Sequence, residues 1–272
     1  MAVCSEVASE LQALGFGPDS DGALIESEAV GRRPLEELRG EEETFLVRRF
    51  SHGGLLRWLT GARFSDPKRP FHELLLSQGL TERGVRTPKV IAARARRTGL
   101  WWELSLVTAR VEDVVDIGRW IADVRQGERS RHGLAAALVA FGELVRSLHE
   151  AGFHHMDLQP NNVLVEERLG DGEPPRLWIL DLDRSKQELV LEEPLRLSNL
   201  SRLLRFVERR ERERGACLTV SDRMRFLRGY ERERVSRHRL WRTLSSEAGP
   251  SRGHGLGWML ERVFGGEDPR ES

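Results

Sequence analysis

The sequence has only two cysteines, Cys4 and Cys217, and they lie near opposite ends of the chain. Two cysteines that are so far apart in the sequence provide no disulfide framework. Such a low cysteine content is typical of proteins in a reducing compartment. The first residues have neither a basic start nor a continuous apolar core, so they are unlike a secretory signal. No apolar run approaches the roughly twenty residues that span a bilayer. We therefore expect a cytoplasmic protein.

The chain also lacks a net charge, because 43 basic residues balance 43 acidic ones. Without an overall positive field, nothing argues for nucleic acid as a partner. A local excess of positive charge exists between Pro194 and Leu244, where the sequence has fifteen arginines and six acidic residues. Such a face is often merely solvated, but several basic residues facing one way would each add about 1 kcal/mol at an anionic leaflet. Peripheral contact with an anionic membrane surface is therefore one of two open interpretations.

What the chain does have is enough length and apolar content for a large core. It contains 272 residues, of which 39% are hydrophobic and 32% charged. These values are typical of a soluble globular protein. The length permits one large domain or two lobes around a cleft, and it leaves the oligomeric state open.

The segment from Leu148 to Ser185 carries most of the chemistry-bearing residues. A helix ends here, and His155-Met156-Asp157 precedes an apolar strand that begins at Asn162. A second apolar strand follows a turn-rich link and ends at Asp181 and Asp183. The pattern predicts a hairpin with acidic groups at its mouth.

These residue types suit phosphoryl transfer. Mg²⁺ prefers a few hard oxygen ligands and keeps water or phosphate oxygens for the rest, and Asn162 and Asp181 can supply such oxygens. A further carboxylate must orient the acceptor hydroxyl and take its proton, which is the role we assign to Asp157. A zinc site is disfavoured because no nearby cysteine or second histidine motif completes four ligands.

The H-x-D motif, followed five residues after its Asp by Asn162, resembles the catalytic loop of the protein-kinase superfamily. The turn Asp181-Leu182-Asp183-Arg184-Ser185 resembles the D-[FL]-D-R-[GS] turn of the lipopolysaccharide core kinases, the Kdo kinase and heptose kinase group. Two further segments resemble sequence motifs of that group: Gly53-Gly54, which follows a predicted strand, and Ser198 to Arg205. The resemblance covers roughly residues 30 to 205.

The resemblance implies an α+β, two-lobed protein-kinase-like fold, with a small antiparallel-sheet N-lobe and a mainly helical C-lobe. We expect an N-terminal extension over residues 1–22 and the N-lobe over residues 23–111. The C-lobe, with the catalytic loop and the arginine-rich helices, would occupy residues 112–264, before a flexible tail at residues 265–272.

Kinases hold the nucleotide phosphates with a strand lysine that pairs with a helix glutamate. This chain has no lysine before Lys68 and no G-x-G-x-x-G motif. We therefore assign the role to Arg48 by its register with the Gly53-Gly54 motif, with Arg49 as the alternative, since neighbours in a strand point to opposite faces. Glu73, in a predicted helix over residues 70–83, is the expected partner of Arg48.

The function that follows is an ATP-dependent sugar kinase that uses Mg²⁺. By resemblance, its acceptor is the inner core of a lipopolysaccharide precursor, most simply a Kdo residue on lipid A. Asp183 either assists a second metal ion or fixes the turn. Two alternatives stay open: a small-molecule phosphotransferase of the aminoglycoside or choline type, and a pseudokinase scaffold in envelope biogenesis.

Overall fold

The computed structural model describes residues 1–27, 35–40, 43–51, 63–167, 174–216 and 218–247, without the side chain of His132. Several sequence predictions fall outside these residues and are not addressed by the structure. They are the turn at residues 31–34, the Gly53-Gly54 turn, the helix over residues 256–264 and the tail at residues 265–272.

The N-terminal lobe is built on one antiparallel sheet. Its strands are β1 (Ala2–Val3), β2 (Ile25–Glu26), β3 (Glu36–Arg39), β4 (Thr44–Arg49), β5 (Val90–Thr98) and β6 (Trp101–Ala109). They lie in the order β1-β5-β6-β4-β3-β2. Phe45 and Val47 of β4 are buried while their neighbours are less so, the alternation expected of a strand that covers a core on one face.

The first 22 residues contribute to this lobe. Strand β1 pairs with β5, so that Ala2 lies opposite Ala93. The short helix α1 (Ala8–Ala13) and the loop after it bury Leu11 and Phe16 in the same core as Phe45. The segment that we expected to precede the N-lobe is therefore packed against its sheet.

Helix α2 (Arg69–Glu82) links the two lobes. Phe71 and Leu74 pack against the core of the sheet, whereas Leu76 and Leu80 belong to the core of the C-terminal lobe. Because the helix contacts both cores, its residue Glu73 lies at the boundary between the lobes.

The C-terminal lobe is mainly helical. Its helices are α3 (Ile117–Gln126), α4 (Arg131–Glu150), α5 (Glu193–Arg214), α6 (Val220–Tyr230) and α7 (Arg234–Glu247). Helices α4 and α6 cross at two glycines: a Cβ on Gly142 would lie 2.0 Å from the carbonyl oxygen of Phe226, and one on Gly229 would lie 2.0 Å from that of Val139. Only glycine permits so close an approach of two backbones.

No helix among the described residues is both long enough and apolar enough to cross a membrane.

Short strands in the C-terminal lobe position the predicted site. They are β7 (Val114–Asp116), β8 (Phe153–His154), β9 (Val163–Glu166), β10 (Leu177–Ile179) and β11 (Lys186–Gln187). Strands β9 and β10 form an antiparallel hairpin, as predicted, with Val163 opposite Ile179. The Leu180 N–H continues the ladder by donating to the Asn162 carbonyl at 2.8 Å. The hairpin therefore places Asn162 beside the residue that precedes Asp181.

Candidate active site

The catalytic loop is fixed by His155, which is fully buried. Its Nδ1 accepts a hydrogen bond from the Asp157 N–H at 3.2 Å, so its proton is on Nε2, which donates to the Leu180 carbonyl at 2.9 Å. Burial lowers the pKa of His155 and keeps the ring neutral. This histidine is a structural residue that joins the loop to the end of β10.

Asp157 and Asn162 face each other across the loop. The Asp157 Oδ2 atom accepts from Gln159 Nε2 at 3.0 Å and from Asn162 Nδ2 at 3.4 Å. Asn162 Nδ2 also donates to the Asp157 carbonyl at 2.8 Å. Because the amide nitrogen is directed to Asp157, the amide oxygen is the atom that Asn162 can offer to a cation.

Asp181 lies directly after β10 in a left-handed backbone conformation, with φ of 57°. Such a conformation is costly for a residue with a Cβ and is concentrated at functional sites. Its Oδ1 atom accepts from Arg48 Nη1 at 2.9 Å. This contact joins strand β4 of the N-terminal lobe to the turn that we predicted to bind a metal ion.

Arg48 also forms an ion pair with Glu73 of α2. The Arg48 side chain is 32% exposed, whereas that of Glu73 is only 6% exposed. Burial raises the pKa of the Glu73 carboxyl, and the Arg48 guanidinium opposes that rise. Burial disfavours the charged form of Arg48, but Glu73 and Asp181 together raise its pKa, so the guanidinium stays charged.

Arg49, the alternative to Arg48, lies on the opposite face of β4. Its Nε atom donates to Glu36 Oε2 at 2.7 Å, and Nη2 lies 3.1 Å from Asp21 Oδ2. The structure therefore brings Arg48, and not Arg49, to Glu73 and Asp181.

Asp183 is paired with Arg69, the first residue of α2. The Arg69 Nε atom donates to Asp183 Oδ1 at 2.6 Å, and the second guanidinium nitrogen contacts Oδ2. The same guanidinium lies over the rings of Phe50 and Phe64, at 5.2 and 5.4 Å from their centroids. This clamp ties the Asp181 turn to the N-terminal lobe, and our sequence reasoning did not identify Arg69.

A chain of buried hydrogen bonds behind the catalytic loop was also missed. Asn199 of α5 donates to the His155 carbonyl at 2.9 Å and accepts from the His155 N–H at 3.2 Å. Its Oδ1 also faces His149 Nε2 at 3.2 Å, and His149 Nδ1 faces the Tyr230 hydroxyl at 2.9 Å. Because an amide oxygen only accepts, Nε2 of His149 carries the proton and Nδ1 accepts from Tyr230.

Burial sets the protonation of this chain. It lowers the pKa of His149 to about 4 and raises that of Tyr230 to about 12. Both groups are therefore neutral at neutral pH. The one sequence signal for these hydrogen bonds was the similarity of the Ser198 to Arg205 segment to the lipopolysaccharide kinases. That segment includes Asn199, but the similarity does not reveal the partners of Asn199.

The oxygen atoms of the site fit a hard cation that takes most of its ligands from water and phosphate. Asn162 and Asp181 offer an amide and a carboxylate oxygen, the atoms that Mg²⁺ accepts when phosphate oxygens and water complete its shell. Among the described residues, no group of three or more histidine, cysteine, aspartate and glutamate side chains could hold a metal ion. A site in which the protein itself supplies most ligands, as zinc requires, is therefore not supported there.

Two lobes, a helix glutamate paired with a strand cation, and an Asp–Asn–Asp set at the mouth of a hairpin define a protein-kinase-like phosphotransferase. A solved structure described as WaaP in complex with acyl carrier protein has the same fold. It aligns with a TM-score of 0.62 and 20% identity, and the match covers 91% of this chain and 98% of that one.

The particular family follows from the sequence. Residues 30–230 match the lipopolysaccharide kinase (Kdo/WaaP) family, and the chain belongs to it. A 3-deoxy-D-manno-octulosonic acid kinase of Stenotrophomonas maltophilia K279a is 30% identical over 193 residues, 68% of this chain and 70% of that protein. The enzyme of that name from Vibrio vulnificus CMCP6 is 26% identical over 208 residues, 75% of this chain and 81% of that protein. The predicted fold and kinase class are confirmed: the chain is a lipopolysaccharide kinase, a phosphotransferase with an alcohol group as acceptor.

Proposed function

We propose that the chain transfers the γ-phosphate of ATP to a hydroxyl of a Kdo residue in a lipopolysaccharide inner-core precursor of the Kdo-lipid A type. The observation that carries the proposal is the joining of Asp157, Asn162 and Asp181 into one site. The His155–Leu180 hydrogen bond and the Asn162–Leu180 ladder bond hold these residues together. The name shared by the relatives, 3-deoxy-D-manno-octulosonic acid kinase, supports Kdo as the acceptor.

In this reaction Asp157 orients the acceptor hydroxyl and takes its proton as the oxygen–phosphorus bond forms. Gln159 and Asn162 fix the carboxylate by donating to Oδ2. Asn162 and Asp181 would hold Mg²⁺, which neutralises phosphate charge when bound.

Arg48 would provide a positive charge for the phosphates on the N-terminal side of the cleft. Glu73 anchors one of its terminal nitrogens, and the other is directed into the cleft, toward Asp181. A guanidinium can bind two phosphate oxygens at once, so Arg48 can take the place of the usual lysine. We assign Asp183 to fixing the turn, because its carboxylate is engaged by Arg69.

We keep peripheral contact with an anionic leaflet as part of the proposal. Arg205, Arg209 and Arg212 are exposed along one face of α5, and none has a carboxylate partner among the described residues. The Arg212 Nε atom is 3.4 Å from the Glu208 backbone carbonyl. Such a row would be attracted to the membrane that carries the acceptor.

The test is transfer of label from [γ-³²P]ATP to Kdo-lipid A, with choline and a panel of aminoglycosides as competing acceptors. We expect Mg²⁺-dependent labelling of Kdo-lipid A alone, with mass spectrometry showing the added phosphate on the Kdo portion. Labelling of an aminoglycoside or choline in preference would overturn the assignment of the acceptor. No labelling, together with no thermal stabilisation by millimolar MgATP, would favour the pseudokinase.

A further inference from the structure

We propose that Lys186 and Arg202, beside His154, bind the carboxylate of the acceptor sugar and so select an acid sugar over a neutral one. The inference rests on the proposed function, because it assigns part of the acceptor site next to Asp157. An octulosonic acid, which names the relatives' activity, carries a carboxylate as well as the hydroxyls that could be phosphorylated.

Strand pairing places Lys186 next to the catalytic loop. In the antiparallel pair of β11 and β8, Lys186 lies directly opposite His154. Side chains of directly opposed residues project from the same face, with Cβ atoms about 5 Å apart. The Lys186 ammonium is therefore carried on the face of β8 that bears the His154 side chain.

Helix α5 brings Arg202 to the same place. Asn199 bonds both backbone groups of His155, which fixes α5 against the residue that follows His154. Arg202 is three residues beyond Asn199, a spacing at which helical side chains are neighbours on the surface. Burial lowers the pKa of His154, and the charges of Arg202 and Lys186 lower it further while Glu188 opposes them. Both cations therefore act on His154.

The positive charge of this cluster is incompletely balanced. Lys186 and Arg202 are exposed, and within the described parts of the chain neither forms an ion pair or a side-chain hydrogen bond. Glu188 is the carboxylate that acts on His154, and it is not in contact with either cation. With His154 neutral, the four side chains carry a net charge of about +1, which favours an anionic ligand.

The spacing from this cluster to the proposed base suits one sugar. His154 precedes Asp157 by three residues, so their Cα atoms are at most about 11 Å apart. The side chains of Lys186 and Arg202 are long enough to reach into that gap. A sugar whose carboxylate meets these cations can therefore present a hydroxyl of the same ring to Asp157. Charge-assisted hydrogen bonds to a carboxylate are among the stronger polar contacts in proteins.

The experiment compares two acceptors, Kdo-lipid A and the same glycolipid with the Kdo carboxylate converted to its primary amide. The variants are Lys186→Gln and Arg202→Gln. Arg125→Gln is the matched control, with the same charge change at an exposed arginine in the last turn of α3, outside the arginine row of α5. Steady-state kinetics give KM for each acceptor and for MgATP, and thermal midpoints show that each variant is folded.

On Kdo-lipid A we expect about a tenfold higher acceptor KM for each variant, with KM for MgATP unchanged. On the amide, the variants should match the wild type, because the contact is already lost. Arg125→Gln should match the wild type on both acceptors. Glu188→Gln, which removes the opposing charge, should lower the acceptor KM on Kdo-lipid A about twofold.

Two results would overturn the inference alone: an unchanged acceptor KM in both variants, or an equal rise on the acid and on the amide. The second would mean that the cations meet another anion of the glycolipid, such as a lipid A phosphate. If the wild-type protein phosphorylates neither acceptor, the proposed function fails and the inference fails with it.

Discussion

The two sides of the cleft are held by different kinds of interaction. On the side of the N-terminal lobe, charged pairs join Arg48 to Glu73 and Asp181, and Arg69 to Asp183. Behind the catalytic loop, neutral buried groups form the chain from Tyr230 to His155. In the proposed function, the charged side would face the phosphates of ATP, whereas the neutral side would hold the loop that carries Asp157. Rigidity and charge are thus supplied by different parts of the molecule.

Replacing Asn199, at the centre of the neutral hydrogen-bond chain, should have the largest effect on the free energy of unfolding. Asn199→Leu removes three hydrogen bonds and leaves the His155 N–H and carbonyl without their partner in the interior. Each unsatisfied buried group costs about 1–3 kcal/mol, so we expect a loss of about 3–5 kcal/mol in the free energy of unfolding. Urea denaturation measures it. Asn199→Asp, which keeps the acceptor oxygen, should lose less; equal losses in the two variants would contradict the hydrogen-bond account.

The neutral side should also make stability fall as the pH falls, whereas Glu73 on the charged side, whose pKa is raised by burial, acts in the opposite direction. The pKa of His149 is about 4 in the folded protein against 6.5 for an unperturbed histidine. Between these values the unfolded chain binds a proton that the folded chain does not, so stability falls as the pH falls. The loss approaches about 3 kcal/mol near pH 4, and His155 adds to it in the same direction.

Urea denaturation from pH 7 to pH 4 tests this, with His149→Gln as the comparison. The variant should be less stable at pH 7 but should lose clearly less stability on acidification than the wild type. Parallel curves for the two proteins would show that His149 is not the titrating group.

On the charged side, Arg48→Lys tests whether the forked guanidinium is needed. A lysine must serve Glu73 and the phosphates from one nitrogen, on a side chain shorter than the arginine that this site holds, so we expect KM for MgATP to rise about tenfold, a loss of roughly 1.4 kcal/mol. The control is Arg49→Lys, on the opposite face of the same strand. An equal change in both variants would mean that Arg48 acts through the stability of the lobe and not through the nucleotide.

The smallest effect should come from the far end of the neutral chain. Tyr230→Phe removes the hydroxyl that donates to His149 at 2.9 Å and keeps the ring. We expect a loss of about 1 kcal/mol in the free energy of unfolding, with kcat within twofold of the wild type. A large fall in kcat with normal stability would show that Tyr230 positions the catalytic loop more directly than the hydrogen bonds suggest.

The sequence predicted what depends on neighbours in the chain. The β9–β10 hairpin, and the helix that ends within the segment from Leu148 to Ser185, follow from local patterns and the kinase-like motif. The sequence assigned the lysine role to Arg48 by its register with the Gly53-Gly54 turn, and the structure places Arg48, not Arg49, beside Glu73 and Asp181.

The contacts that the sequence did not reveal join distant segments. Arg69 meets Asp183 across 114 residues, and His149 meets Tyr230 across 81. An arginine at the start of a surface helix and a tyrosine at the end of another have no local signature of such pairing. The incorporation of residues 1–22 into the N-terminal lobe was missed for the same reason, because β1 is only two residues long and pairs with β5.

The central claim is that Asp157 takes the proton of the sugar hydroxyl in a site shared with Asn162 and Asp181. The most direct measurement is single-turnover transfer from [γ-³²P]ATP to Kdo-lipid A by Asp157→Asn, which keeps the shape of the side chain. We expect the rate to fall by about a thousandfold, while stabilisation by MgATP stays that of the wild type. Transfer within tenfold of the wild-type rate would contradict the claim.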